Sequence, residues 1–227
     1  MPKPALRPSR GPKPTRTDPR HLLDAALAVF AQAGLQGASV RAIARQAGCD
    51  PALIYYHFAS KEAMFAALLE DRFPPLVAEL GQVAQGPGPT AEKLWRILAI
   101  LHGHFHASAG FRAMIRGEIV RGAAGIQDLL VHHLAPAQQA IRAILAEGQV
   151  RGDLRADLDP VFLGFFLVRM EFEILDLIPA LSQRLAGLPA DVALPRAEHA
   201  WFGLFWRGVA ARPDAPLPFL SPATEAP

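Results

Sequence analysis

Residues 20–65 read RHLLDAALAVFAQAGLQGASVRAIARQAGCDPALIYYHFASKEAMF, and this stretch decides the fold. It contains three short helical patterns separated by glycine-containing turns, and a fourth helical pattern follows at once. The third pattern is only about two turns long and carries small residues on its free face. A short helix of this kind, held firmly by its neighbours, can enter the major groove of DNA. The stretch therefore predicts DNA binding.

Capping residues define where these helices begin and end. The first helix is predicted from about Asp18 to Ala33, and Gly34 is expected to end it. Ser39 is a suitable N-cap for the second helix, and Asp50 for the third. Pro51 occupies the first position of the third helix, where its missing N–H costs nothing.

The rest of the chain also has helical periodicity. Ser60 caps the fourth helix, which is predicted to continue to about Gln85, and the GPGP sequence at 86–89 breaks it. The alternation of polar and apolar residues that is typical of β-strands is absent, so we predict an all-α fold. Further helices are predicted at 90–107, 110–121, 126–150, 159–182 and 195–211.

Charge is distributed unevenly along the 227 residues, although the formal net charge is only +2. Residues 1–61 carry nine Lys/Arg and three acids, whereas the remaining residues carry fourteen Lys/Arg and eighteen acids. A basic N-terminal end suits a polyanion such as DNA. Membrane binding is less favoured, because no amphipathic helix rich in Lys/Arg accompanies the basic arm.

Composition excludes several classes of protein. No apolar run reaches the roughly 18 residues that span a bilayer. The basic, proline-rich N-terminus lacks the apolar segment of a secretory signal. Cys49 is the single cysteine, which rules out an internal disulfide and suits a reducing compartment. We therefore expect a cytoplasmic protein.

Three segments together resemble the N-terminal helix-turn-helix of the TetR family of transcriptional regulators. They are SVRAIA at 39–44, AGCDPALIYYHF at 47–58 and SKE at 60–62. The resemblance covers about residues 20–66, while the rest resembles the family only in being helical and of the expected length. It implies a homodimeric regulator, in most cases a repressor released by a ligand, that binds a near-palindromic operator in double-stranded DNA. The implied domains are a disordered basic arm (1–19), an N-terminal three-helix helix-turn-helix domain (20–66), a C-terminal helical ligand-binding and dimerisation domain (67–211) and a Pro-rich tail (212–227).

The resemblance also implies which residues contact DNA. In the family, the residue that matches Tyr55 binds phosphate through its hydroxyl, and the lysine that matches Lys61 binds phosphate beside the fourth helix. Ser39 and Arg41 would anchor the backbone at the start of the second helix, where the helix dipole helps. The basic arm could follow the minor groove or the flanking phosphates. The complete predicted set is Ser39, Arg41, Pro51, Ala52, Leu53, Tyr55, Tyr56, His57 and Lys61.

Each of these assignments has a structural alternative. Tyr55 could pack against the first helix, Ser39 could serve only as a cap, and Lys61 could be a solvated lysine at a helix start. The arm could be only a solubilising tail. Asp50 departs from the Ser or Thr that is common in the family, and its carboxylate would repel a phosphate.

The two most apolar late helices, 159–182 and 195–211, are the expected dimer interface. Two copies of each would form a four-helix bundle. The alternative is that both helices are internal core, since an apolar stripe alone does not separate the two. The predicted interface residues are Phe162, Phe165, Trp201, Phe202, Phe205 and Trp206.

By the family's precedent, an apolar small-molecule effector would bind within the helical body. Aromatic and methionine side chains suit such a pocket, although they suit a plain core equally well. The candidate pocket residues are Leu98, Leu101, His102, Phe105, Met114, Ile115, Phe166 and Met170.

Catalytic and metal chemistry find little support in the sequence. His102 and His106 are four residues apart, a spacing that can hold a metal, but we expect no carboxylate or cysteine to complete the set. We therefore expect no metal and no cofactor. Two other interpretations remain open: a helical small-molecule-binding enzyme that carries a DNA-binding module, and a ligand-independent regulator controlled by a protein partner. Against the first, the body lacks a nucleophile–base arrangement and a phosphate-binding glycine loop.

Overall fold

The computed structural model of the protein describes residues 18–122, 126–214 and 217. Within these ranges the chain forms nine α-helices, and its only strand-like pairing is an isolated antiparallel bridge between Leu154 and Ala210. The predicted all-α fold is confirmed. Among the described helices, none combines the length and the apolar character needed to cross a membrane. The helices are α1 (Pro19–Gly37), α2 (Val40–Ala47), α3 (Pro51–His57), α4 (Lys61–Gln85), α5 (Thr90–His106), α6 (Ala109–Arg121), α7 (Ile126–Val150), α8 (Pro160–Ala186) and α9 (Ala190–Val209).

Some helix ends differ from the prediction. The helical path of α1 breaks at Gly34, where φ is 69° and ψ is 173°, but a short helical segment continues beyond it. Helix α8 continues to Ala186, four residues past the predicted end. Helix α9 begins at Ala190, five residues before the predicted start, so Pro195 lies inside the helix rather than at its first position. The predicted arm at 1–19 and tail at 212–227 lie mostly outside the described residues.

The first three helices fold around a small core that α4 completes. Helix α1 packs against α2, α4 and α6, and α2 packs against α3. Phe30 of α1 meets Phe65 of α4 edge to face, with ring centroids 5.7 Å apart, and both side chains are fully buried. Such aromatic pairs stabilise a core beyond the area that they bury.

Helix α4 connects this small domain to the helical body. Its later turns pack against α5 and α7, and α8 packs against α5, α7 and α9. At the start of the body, the buried ammonium of Lys93 donates to Glu147 Oε2 at 2.8 Å and to the Ala84 carbonyl at 3.2 Å. One continuous hydrophobic core runs through both parts. A displacement in the body can therefore reach the first three helices through α4.

Candidate nucleic-acid interface

Side-chain caps and one glycine fix the angle between α2 and α3. Ser39 Oγ accepts the Ala42 N–H at 3.2 Å, and Asp50 Oδ1 accepts the Ala52 N–H at 2.8 Å. Gly48 ends α2 with φ 64°, a left-handed conformation that side chains rarely adopt. Both predicted caps are confirmed. The short α3 is therefore held in one orientation by its own sequence.

The inner side of α3 anchors it to the core. Ile43 of α2 and Ile54 of α3 are fully buried, while Cys49 and Phe58 are half-buried against the same core. Burial, followed by the charge of Asp50, raises the pKa of the Cys49 thiol above its usual value. A thiol that resists ionisation is a poor nucleophile, so Cys49 serves as a packing residue.

The outer side of α3 faces solvent. Tyr55 is 60% exposed and Tyr56 is 75% exposed, which is unusual for large aromatic side chains in the same short helix. Ala52 is exposed as well, and Leu53 and His57 are half-buried beside it. The alternative that Tyr55 packs away against α1 is wrong. The face offers two phenolic hydroxyls and a small apolar surface, which can donate to phosphates and contact base edges.

The start of α2 adds positive charge to this face. Ser39 and Arg41 are exposed, as predicted for groups that could reach a phosphate. Arg45 is exposed too, and its spacing of four residues from Arg41 places both guanidinium groups on one side of α2. The sequence prediction missed Arg45, although this spacing could have found it.

The prediction for Lys61 needs correction. Its ammonium donates to the carbonyls of Leu35, Gln36 and Ala38 at 2.8, 3.3 and 3.1 Å. An ammonium has three N–H groups, and these three carbonyls use all of them. Carbonyls at the end of a helix carry partial negative charge, so they attract the lysine as a phosphate would. Lys61 therefore fastens the end of α1 to the start of α4 and is neither free for DNA nor simply solvated.

Similarity to known proteins agrees with this geometry. The family described as "Bacterial regulatory proteins, tetR family" matches residues 22–68. The HTH-type transcriptional repressor KstR2 of Mycobacterium tuberculosis is 31% identical over 142 residues, which span 61% of this chain and 70% of that protein. The chain belongs to the TetR family. The HTH-type transcriptional regulator UidR of Escherichia coli is 24% identical over 165 residues, or 72% of this chain and 81% of UidR. This TetR-family protein is a DNA-binding transcriptional regulator.

Solved structures show that the TetR fold extends over most of the chain. The structure of the ketosteroid transcriptional regulator KstR2 of Mycobacterium tuberculosis superposes with a TM-score of 0.68 at 22% identity, covering 88% of this chain and 97% of that one. The regulator FadR from Bacillus subtilis, in complex with stearoyl-CoA, superposes with a TM-score of 0.67 at 18% identity, covering 83% and 98%. At these identities the likeness shows the fold alone.

The structure divides the predicted dimer interface into two groups. Phe162 and Phe165 of α8 are exposed, as an interface in a single chain should be. Phe202, Phe205 and Trp206 of α9 are buried in the core of their own chain, so for these three the prediction is wrong. They turn inward because α9 packs along α8. Trp201 is half-buried between the two groups.

Several large apolar side chains on α8 and α9 are exposed, and Phe166, Met170 and Leu204 line the same groove. We give the name outer apolar strip to Phe162, Phe165, Phe166, Met170, Leu177 and Leu204. On α8 the members Phe162, Phe166 and Met170 are four residues apart, so they share one side of the helix. Exposed apolar side chains grouped on one side of a helix are typical of an interaction site.

In the described part of the chain, seven of the predicted pocket residues fall into two groups. Five of them are buried core residues of α5 and α6, and Phe166 and Met170 belong to the outer apolar strip on α8. Phe166 and Met170 line an open groove of about 480 Å³ between α8 and α9, together with Trp201 and Leu204. The five core residues are Leu98, Leu101, Phe105, Met114 and Ile115.

His102, the remaining predicted pocket residue, joins two carboxylates from distant helices. His102 Nδ1 lies 3.2 Å from Glu171 Oε1 and directly against Glu198 Oε1. The His106 ring stacks on the His102 ring with centroids 5.1 Å apart. The expectation that no carboxylate would join these histidines is wrong. Nothing in the local sequence marks the pair, because Glu171 and Glu198 lie about 70 and 96 residues further along the chain.

Burial changes the ionisation of these carboxyl groups. Burial, followed by the charge of Glu198, raises the pKa of Glu171 to about 8, with the charge of Arg112 acting in the opposite direction. Burial also raises the pKa of Glu198, against the charge of the neighbouring His102. Both shifts arise because water does not solvate the carboxylates fully.

Helix α6 connects the outer helices of the body to α1. At its start, Arg112 Nε donates to Asp176 Oδ1 of α8 at 2.7 Å. At its end, Glu118 Oε1 accepts the Leu35 N–H of α1 at 3.0 Å and the Arg121 Nη2–H at 2.7 Å. The break at Gly34 frees the Leu35 N–H for this contact. Both ends of α6 are thus held by charged side chains, which the local sequence pattern did not reveal.

Proposed function

We propose that the protein is a ligand-responsive repressor that binds a near-palindromic operator as a homodimer. The observation that carries the proposal is the exposed outer face of α3, with Tyr55 and Tyr56 pointing away from a rigid helix-turn-helix. Arg41 and Arg45 supply positive charge beside it. In the proposal Arg45 replaces Lys61 among the DNA contacts. The complete proposed set is Ser39, Arg41, Arg45, Pro51, Ala52, Leu53, Tyr55, Tyr56 and His57.

The proposed dimer forms along the outer apolar strip. A single α3 reads too few base pairs to select one genomic site, so two copies related by a twofold axis must bind two half-sites. A twofold interface brings the same surface of both chains together. The strip on α8 and α9 suits this arrangement, because its exposed phenylalanines would be covered by those of the second copy.

The proposed effector is an apolar small molecule. Two similar proteins support this class: one is named a ketosteroid transcriptional regulator, and the other was solved with stearoyl-CoA, whose acyl chain is apolar. A groove of about 420 Å³ between α7 and α8 shares only Phe165 with the outer apolar strip, and apolar side chains line most of it. A groove of this volume falls in the range of small-molecule sites. UidR and KstR2 are named as a transcriptional regulator and a repressor, which favours effector binding over catalysis.

In the proposed mechanism, the body transmits effector binding through α4 and α6. Helix α4 is continuous from the helix-turn-helix into the body. Helix α6 is held at one end by Asp176 of α8 and at the other end by Leu35 of α1. An effector that shifts α8 would therefore move α6, and α6 would move α1. A change in the spacing of the two α3 helices then prevents both from fitting successive major grooves.

Replacing Glu118 with alanine tests the junction of α6 with α1. The change leaves the Leu35 N–H and the Arg121 guanidinium without their shared acceptor, so the free energy of unfolding should fall by about 1–3 kcal/mol. Operator affinity, measured on protein that circular dichroism shows to be folded, should fall as well because α1 loses its fixed position. Glu92→Ala is the matched control, since Glu92 is exposed in the first turn of α5, outside this junction. An operator affinity equal to that of the wild type would contradict the proposed role of α6.

Footprinting of the purified protein on the DNA upstream of its own gene tests the function directly. The expected result is one protected region with two inverted half-sites whose centres are about one helical turn, or a multiple of it, apart. Binding should weaken steeply with salt, because Lys and Arg displace counterions from the phosphates. Uniform, non-specific protection of all DNA at low salt would overturn the proposal.

A further inference from the structure

Three helices of the body bring His102, Glu171 and Glu198 together. His102 belongs to α5, Glu171 to α8 and Glu198 to α9. One ligand atom from each, the histidine nitrogen and two carboxylate oxygens, lies within 4.8 Å of the others. This convergence does not depend on neighbouring positions in the sequence. The fold itself assembles the group.

Within the described residues, no lysine or arginine forms a hydrogen bond with either carboxyl group of this cluster. Glu171 is only 2% exposed, and Glu198 Oε1 is buried against His102 Nδ1 without a hydrogen-bond partner among the other described residues. Arg112 lies close enough to affect Glu171, but its guanidinium donates to Asp176 and to the Phe105 carbonyl. The His102 imidazole lies between the buried Glu171 and the partly buried Glu198, and the charges of His199 and His106 act on Glu198 as well. Buried carboxylates in such a setting are stabilised by protons or by a bound cation.

We infer that His102, Glu171 and Glu198 bind a divalent first-row transition-metal cation such as Zn²⁺. Zinc takes imidazole nitrogen and carboxylate oxygen ligands at about 2.0–2.2 Å, which places neighbouring ligand atoms about 3.3 Å apart in a tetrahedron. His102 Nδ1 and Glu171 Oε1 lie at a hydrogen-bond separation of 3.2 Å, which is close to that spacing. Glu198, which touches His102, moves aside by side-chain rotation when the ion enters.

The chemistry of the three ligands defines the class of ion. An imidazole among carboxylates favours zinc, manganese, cobalt or nickel over magnesium and calcium, which prefer oxygen alone. No thiolate is present to select a soft ion, because the single cysteine is Cys49 of the helix-turn-helix domain. The fourth position falls to a water molecule or to His106, whose ring lies 5.1 Å from that of His102. His102 and Glu198 are 26% and 18% exposed, which gives the ion a route from solvent.

Zinc binding to the tag-free, full-length protein tests the site. Protein treated with a chelator and dialysed should gain thermal stability on addition of Zn²⁺ alone, and Mg²⁺ at the same concentration should have no effect. Titration calorimetry should give one ion per chain. Co²⁺ in place of Zn²⁺ should produce visible absorption bands that report a low-coordinate site with nitrogen and oxygen ligands.

Variants separate this site from adventitious binding at other histidines. Glu171→Gln and His102→Ala should each weaken zinc binding by more than the roughly 10- to 100-fold that is lost when a supporting neighbour of a metal ligand is removed. Glu173→Gln, on the same helix, and His132→Ala, an exposed histidine, are the controls and should bind zinc as the wild type does. Glu198 is the more exposed of the two carboxylate ligands, so Glu198→Gln provides a second test if Glu171→Gln fails to fold.

Two outcomes would overturn the inference. One is a wild-type protein that shows no saturable zinc binding, and the other is an unchanged zinc affinity in the folded Glu171, Glu198 and His102 variants. The experiment uses no DNA, so its failure leaves the proposed operator binding untouched. Loss of operator binding in other variants would equally leave the metal site in place.

Discussion

Replacing Phe166 with glutamate is expected to convert the proposed dimer into a monomer and to weaken operator binding by roughly 10²–10⁴-fold. Phe166 is 60% exposed at the centre of the outer apolar strip. The change removes a side chain whose burial contributes about 1.5–3 kcal/mol, and a twofold interface counts the loss twice. It also places a carboxylate in an apolar contact. The two α3 helices then bind their half-sites independently, and the affinity gained from linking them is lost.

Sedimentation measures the state of association, and operator affinity follows from gel shifts at matched concentrations. Val150→Glu is the control, because Val150 is exposed at the end of α7 and lies outside the strip. It introduces the same charge and should leave both the dimer and operator binding unchanged. A Phe166→Glu protein that remains dimeric would move the interface away from this surface of α8.

Local sequence rules predicted the helix-turn-helix closely. Ser39, Asp50 and Ser60 each accept the N–H of a residue two or three positions further on, as their place before an apolar pattern suggests. Gly48 adopts the left-handed conformation that ends α2. These interactions join residues that are near in sequence, so their pattern is visible before the fold is known. The predicted all-α class rests on the same short-range signals.

Those local rules could not predict contacts between residues that are far apart in the sequence. A lysine in the first turn of a helix looks like a solvent-facing cation, and only the packing of α1 against α4 shows that Lys61 holds three carbonyls. Similarly, Glu171 and Glu198 meet His102 because α5, α8 and α9 converge. Such partners are chosen by tertiary structure, which periodicity does not encode.

The orientation of α9 about its own axis shows a second limit of prediction from the sequence. Trp201, Phe202, Phe205 and Trp206 cover more than one side of the helix, which led to their assignment to an interface between copies. The structure turns three of them inward, where Phe202 meets Trp95 of α5 with ring centroids 5.2 Å apart. An apolar helix surface predicts that something covers it. Whether that is the same chain or a second copy depends on how the neighbouring helices pack.

Removal of the Tyr55 hydroxyl is expected to weaken operator binding roughly 10- to 150-fold, since a hydrogen bond to a charged group contributes about 1.5–3 kcal/mol. Tyr55→Phe keeps the ring, and the side chain is already 60% exposed, so the melting temperature should not change. The hydroxyl carries no charge in the proposed contact. The dependence of affinity on salt should therefore keep its slope, because no counterion-displacing group is lost.

Arg41→Ala provides the matched contrast on the neighbouring helix. Its exposed guanidinium is proposed to bind a phosphate, so its loss should weaken binding to all sequences and reduce the salt slope by about 1 per protomer. Fluorescence anisotropy over a series of salt concentrations distinguishes the two behaviours. If Tyr55→Phe binds the operator as tightly as the wild type, the phenol does not contact the phosphate backbone. The exposure of Tyr55 would then need another explanation. In the proposed complex, α3 would have to be rotated about its own axis so that Tyr56 faces the DNA.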